Sequence, residues 1–185
     1  MRAAQAAALA LALAAQAPAA TAADLRIDST HSYAGFGVRL LWLHTIHGRF
    51  TQVSGSFEPQ PDGRVVVAAQ VAVDSLAMDS ARLRRWVLAE EFFDAARYPT
   101  LRFVSAPVSR ATLTHGGPLD GRMTLRGVTR PVQLQLEPAD CEVGVCTIEA
   151  HGEVQRSDFG MRNHHTVLSD RVALALSIAL AREPG

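Results

Sequence analysis

Arg171-Val172-Ala173-Leu174-Ala175-Leu176-Ser177-Ile178-Ala179-Leu180 decides the fold of this chain. Bulky apolar residues take every even position, and small or polar residues take the odd ones. Successive strand side chains point to opposite faces, so the segment reads as a long strand with one large-residue face and one small-residue face. The same period recurs upstream. In residues 33–43 it sets Ala34, Phe36, Val38, Leu40 and Trp42 on one face, predicted to look inward. Ile46, Gly48 and Phe50 follow on one phase, then Val53, Gly55 and Phe57 on the other. The slip near Gln52 and Val53 predicts a bulge or sharp bend. Pro59-Gln60-Pro61-Asp62-Gly63 is a turn by composition, and Val65, Val67, Ala69, Val71 and Val73 make another long strand. Shorter strands are expected over 101–105, 108–114, 122–126, 131–137 and 145–154. Helical spacing is confined to about residues 80–96, where Leu83, Trp86 and Val87 share a face behind an Asp79 or Ser80 cap. Eight or nine strands and one amphipathic helix predict an all-β antiparallel barrel, whose interior is either packed or holds something.

The first 23 residues read as a leader. Arg2 gives a minimal positive start, Ala6 to Ala15 form a short Ala/Leu core, and Pro18 to Ala23 offer small residues for cleavage after Ala22 or Ala23. Residues 24–185 are then expected to form one domain outside the cytoplasm, in the periplasm. Removing Arg2 leaves 17 arginines against 18 carboxylates, a balance in which nothing favours nucleic acid, whose binding would call for a clustered basic face. Lysine is absent, which excludes a Walker A loop, a Schiff-base lysine and a pyridoxal-phosphate site. Cys141 and Cys146, the only cysteines, are close enough to tie a hairpin turn in an exported chain, a loop closure worth about 2 kcal/mol.

Several segments in order resemble the YceI family, the lipid- or polyisoprenoid-binding YceI-like domain. They are Asp28-Ser29-Thr30-His31-Ser32 with Phe36 and Val38; Gly48-Arg49-Phe50; Glu91 through Pro99 (EFFDAARYP) followed by Phe103; Gly121 with Leu125-Arg126-Gly127-Val128-Thr129; and Arg156-Ser157-Asp158-Phe159-Gly160-Met161. The resemblance implies a lipocalin-like, eight-stranded antiparallel barrel around an elongated apolar cavity that binds isoprenoid chains or other long amphiphiles, with no catalytic residues. The chain departs from the family's usual pattern at two places. Leu40 stands where members commonly have a histidine, and Leu83-Arg84-Arg85-Trp86-Val87 replaces an Arg-Asp-x-His-Leu run. Both changes put apolar or aromatic groups where polar ones are usual.

Phe36, Val38, Leu40, Trp42, Phe50, Val67 and Val71 are therefore the expected cavity lining, with Trp86, Phe92 and Phe93 closing one end. The same residues would equally build a solid core, and only the resemblance favours a hollow. Arg39, Arg49, Arg126 and Arg156 are candidates for a phosphate or carboxylate head group. His44 and His47 sit three apart on a strand and so face opposite ways. Asp28, Ser29 and His31 have the residue types of a triad but no nucleophile elbow. No metal or cofactor is expected. The reading is a non-catalytic protein that sequesters or carries a polyisoprenoid, an isoprenoid quinone or a fatty-acid derivative. Two rivals stand beside it: a hydrolase or isomerase using a histidine and a carboxylate in the same pocket, and a filled barrel that is a structural accessory to a membrane-protein partner. A homodimer is compatible with either.

Overall fold

The computed structural model describes residues 25–41, 43–142 and 145–182; Trp42 and the expected leader lie outside the described residues. Among these the strands run in chain order as β1 (Leu25–Ile27), β2 (Tyr33–Leu40), β3 (His44–Phe50), β4 (Val53–Pro59), β5 (Val65–Ala72), β6 (Leu76–Ala77), β7 (Thr100–Ser105), β8 (Gly117–Leu125), β9 (Val128–Leu136), β10 (Asp140–Glu142), β11 (Val145–Gln155) and β12 (Leu168–Arg182). Every pairing is antiparallel.

The twelve segments fill eight positions around a ring. β12 is the spine. One of its edges pairs with β1 at residues 180–182 and with β2 at residues 168–177, so these two short strands lie end to end. β4 and β3 continue them in the next position, and β5 and β6 in the one after. β7 and β8 stand singly, β9 and β10 share the edge of β11, and β11 returns to β12 over ten registered positions. This closure is the eight-stranded barrel that the sequence suggested, with four of its staves each broken into two pieces.

Short polar segments heal the breaks. On the edge of β12 shared by β1 and β2, neither strand registers with Ala179; its N–H donates to Ser32 Oγ at 2.9 Å and its carbonyl accepts from Asp28 N at 2.8 Å. Between β3 and β4, the bend expected near Gln52, the Thr51 and Gln52 amides donate to the Ser75 carbonyl and hydroxyl. A buried backbone group left unpaired costs about 1–3 kcal/mol, so these serines do the work of missing ladder partners.

Two helices decorate the ring. Helix α1 (Ala81–Leu88) starts at Ser80, whose hydroxyl accepts from Leu83 N at 3.3 Å. It is shorter than the expected 80–96: the chain turns extended at Ala89, and residues 89–97 form consecutive turns, with Asp94 at φ +48°. β6 ends the sheet on this side, and α1 with these turns carries the wall on towards the β8–β9 hairpin. Residues 108–114, expected as a strand, contain instead the short helix α2 (Arg110–His115) at the opposite end. Ser109 Oγ caps it by accepting from Thr112 N at 3.0 Å, and Gly116 ends it at φ +84°.

Candidate functional site

β12 settles which way the walls face. Val172, Leu174, Leu176 and Ile178 look into the barrel, and the alanines between them look out. Together with the inward residues of the other staves they bound a cavity of about 180 Å3 running along the barrel axis. Its wall extends from Leu113 and Leu136 at the α2 end to Trp86, Phe92 and Met161 at the α1 end. Of the residues nominated from the sequence, Phe36, Val38, Phe50, Val67, Val71, Trp86, Phe92 and Phe93 lie on this wall. Leu40 does not. Its parity is right, but it sits at the last position of β2, opposite Leu168 and His44, and packs into the core beyond the lumen. Trp42 lies outside the described residues. The sequence reading missed the far wall, where Met123, Leu125, Leu134, Leu136, Ile148 and Ala150 line the cavity. The alternation of Val132, Leu134 and Leu136 with Gln133 and Gln135 was the available signal.

Glycines keep the space open. Gly48 registers with Phe36 across β2 and β3, and a Cβ on Gly48 would fall 2.4 Å from the Phe36 ring. A Cβ on Gly121 would meet the Phe103 ring at the same distance. With no side chain beneath them, both rings lie back over the neighbouring backbone instead of crossing the lumen. Phe36, Phe50 and Phe93 then pack on one another with centroids 5.3 to 5.8 Å apart, which fixes the wall near the α1 end.

At that end Trp86 packs edge-on against Phe92 and His164, with ring centroids 4.6 and 5.2 Å away. The carboxylate of Glu91 bonds Trp86 Nε1 at 3.2 Å and His164 Nε2 at 3.1 Å, joining the α1 region to the loop after β11. The His164 hydrogen bond, more than the Trp86 one, draws the Glu91 carboxyl below its ordinary value of 4.5. A depressed acid stabilises its contact above the ordinary value and loses it as pH falls through the folded value. In a Trp42→Phe background, which leaves Trp86 as the only tryptophan, emission is therefore expected to hold steady down to about pH 4.5 and to shift below it. Glu91→Gln should abolish the transition; a transition of unchanged midpoint in that variant would show that the Glu91 carboxylate is not its source.

Arg156 is the one titratable residue on the cavity wall among the described residues. It is only 3 % exposed, and its guanidinium donates to the carbonyls of Ser169 (3.0 Å), Met161, Asn163 (2.7 Å) and Leu168 (3.2 Å). Burial pushes this guanidinium below its ordinary value, and the nearby Asp170 carboxylate opposes that shift. With its donors committed to four carbonyls, Arg156 holds the segment between β11 and β12 against the start of β12. The other arginine candidates are also engaged: Arg126 donates to the Phe92 carbonyl, and Arg49 covers the Tyr33 ring at 4.1 Å. Arg39 is exposed on the outer face.

The remaining polar candidates do not converge on the cavity. Asp28 accepts from Thr30 N at 2.9 Å, from Thr30 Oγ1 at 2.6 Å, and contacts His31 Nδ1 at 2.7 Å. The Thr30 hydroxyl first, then His31, holds the Asp28 carboxyl well below the usual range, in an exposed turn between β1 and β2. No group of three or more potential metal ligands comes together among the described residues. Cys141 and Cys146 face each other across the β10–β11 hairpin and are disulfide-bonded, with Cα atoms 4.1 Å apart.

The YceI-like domain matches residues 25–180. UPF0312 protein plu2095 of Photorhabdus laumondii is 28% identical over 176 residues, covering 90% of this chain and 91% of that protein. Protein YceI of Escherichia coli O157:H7 is 27% identical over 173 residues, 88% of each. Among solved structures, Burkholderia cenocepacia BcnA superposes with a TM-score of 0.71 at 18% identity, over 83% of this chain and 98% of its own. A polyisoprenoid binding domain from Saccharophagus degradans, implicated in plant cell wall breakdown, does so with a TM-score of 0.66 at 16% identity, over 86% and 98%. The structural likenesses show the barrel as a shared fold, and the match along nearly all of the described chain makes this protein a member of the YceI-like domain family.

Proposed function

We propose that the protein holds a long apolar chain non-covalently inside the barrel and works as a carrier or reservoir for it. The observation that carries this reading is the cavity: about 180 Å3, bounded almost wholly by aliphatic and aromatic side chains, with Arg156 turned to backbone carbonyls. That exceeds the ~150 Å3 of an engineered apolar cavity that stays dry and takes up benzene, and falls short of the ~300–1,000 Å3 of drug-sized sites. A slim polymethylene or prenyl chain suits it better than a fused ring system. Each methylene moved out of water contributes about 0.8 kcal/mol, so six to eight of them supply roughly 5–6 kcal/mol with no polar contact at all. The polyisoprenoid-binding domain that shares this fold supports an isoprenoid tail as the first candidate. A fatty acyl chain satisfies the same wall.

The hydrolytic or isomerising rival needs an acid and a base converging on the lumen. Among the described residues neither a histidine nor a carboxylate lines it, so binding is the reading the geometry favours. The leader-like residues 1–23 and the paired cysteines support a periplasmic location, where such a bond persists.

Mass spectrometry of an organic extract, from protein purified out of a periplasmic fraction without detergent, tests this reading. A stoichiometric long-chain amphiphile is expected, and the protein should begin near Asp24. An empty extract from protein that also fails to take up a fluorescent octadecanoic acid would refute it.

A further inference from the structure

The turn between β2 and β3 is unlike the rest of the surface. It reads Leu40-Leu41-Trp42-Leu43-His44, four large apolar residues in a row. Leu43 is 92 % exposed and Leu41 50 %, which makes Leu43 the most exposed large apolar side chain among the described residues. Leu41 also holds φ +46°, a conformation that leucine disfavours, and is tied there by its N–H to the Val167 carbonyl at 2.9 Å. A soluble surface gains nothing from projecting two leucines from one turn this way; an apolar phase does.

The register places this tip at the α1 end of the barrel, beside the loop that carries Met161 and His164. Charge is polarised along the same axis. The segments at this end, residues 39–45, 73–100, 124–130 and 155–172, contain ten arginines against seven carboxylates. Those at the other end, residues 25–32, 57–66, 104–121, 135–149 and 177–182, contain four against eight. Two exposed arginines sit on the elements that carry this tip, Arg39 on β2 itself and Arg162 on the loop bonded to Leu41.

We infer that the β2–β3 tip docks the protein on an anionic phospholipid surface, with Leu41 and Leu43 below the phosphate level and Arg39 and Arg162 on the phosphates. Guanidinium groups match phosphate oxygens, and an anionic leaflet attracts a basic pole while the acidic pole points away. Two leucines and a few charges give weak, reversible attachment, short of an anchor. The end of the cavity walled by Trp86, Phe92 and Met161 then faces the bilayer. Docking of this kind is independent of what the lumen holds, since neither leucine is part of the cavity wall.

Co-sedimentation with vesicles is the test, using the purified protein against phosphatidylglycerol/phosphatidylethanolamine vesicles and phosphatidylcholine vesicles. The protein should partition onto the anionic vesicles, more weakly in high salt, and much less onto the neutral ones. Leu43→Ser should weaken partitioning about tenfold, and Leu41→Asn/Leu43→Ser further; asparagine tolerates the left-handed backbone, so the fold is kept. Arg39→Gln/Arg162→Gln should weaken it several-fold on anionic vesicles only. Absence of binding to either vesicle, or undiminished binding by the double leucine variant, overturns the inference. So does a concentration-dependent dimer, seen by sedimentation velocity and dissolved by the leucine substitutions in protein that ignores vesicles, because the tip would then serve a second copy of this chain.

Discussion

Arg156→Ala is expected to cost about 3–5 kcal/mol of folding stability, lowering the melting temperature by on the order of 10 °C, read by circular dichroism and urea titration. The side chain is buried and donates to the carbonyls of Met161 and Asn163, in the loop after β11, and of Leu168 and Ser169, at the start of β12, so it ties that loop to the strand. Alanine strands those acceptors in a segment whose apolar residues, Phe159 and Met161, are buried. It also leaves Asp170 without the opposing charge, although that carboxylate keeps its bonds from Ser157 N at 2.9 Å and Ser157 Oγ at 2.6 Å. Arg156→Lys should recover only part of the loss, because an ammonium is a point charge with three donors and cannot span four divergent carbonyls. A variant within 1 kcal/mol of wild type would mean that water replaces the guanidinium at no cost, and the loop's order would then need another source.

The barrel was legible in the sequence because its wall has two different faces. A strand with one face on an apolar lumen and the other on solvent alternates bulky apolar with small or polar residues, as β2 does over residues 34–40 and β12 over residues 172–180. Eight positions, the number the resemblance implied, accommodate twelve segments because the breaks at residues 28–32, 51–52, 73–75 and 137–139 keep their two halves in one position. Period alone failed where capping decided the matter. Ala111 and Leu113 look like strand residues, but Ser109 and Gly116 bracket them as a helix start and stop. In the α1 region the adjacent Phe92 and Phe93 are both buried, which one helical face would not achieve, and the chain leaves the helix before them. The role of Arg156 was invisible for a different reason. Its partners are main-chain carbonyls, and carbonyls carry no residue signature.

Ala69→Phe/Ala150→Phe should lower the affinity for a fluorescent octadecanoic acid at least a hundredfold while leaving the barrel folded. β5 and β11 stand on opposite sides of the eight-position ring, and both alanines line the cavity. Two phenyl rings entering from facing walls take most of a space of about 180 Å3. Displacing roughly four methylenes from that space forfeits about 3 kcal/mol, the stated hundredfold. Melting separates a hollow barrel from a solid one in the same experiment. Added rings that fill a void hold or raise the melting temperature, whereas forcing them into a packed interior costs about 1–3 kcal/mol each. Ala173→Phe, on the outward face of β12, should change neither quantity. Gly48→Ala attacks the lumen indirectly: its Cβ displaces the Phe36 ring from the wall, so uptake should fall although the substitution adds a single carbon. If the double phenylalanine variant stays folded and still takes up the probe with wild-type affinity, the chain is being held somewhere other than the barrel axis, and the carrier reading loses its physical basis.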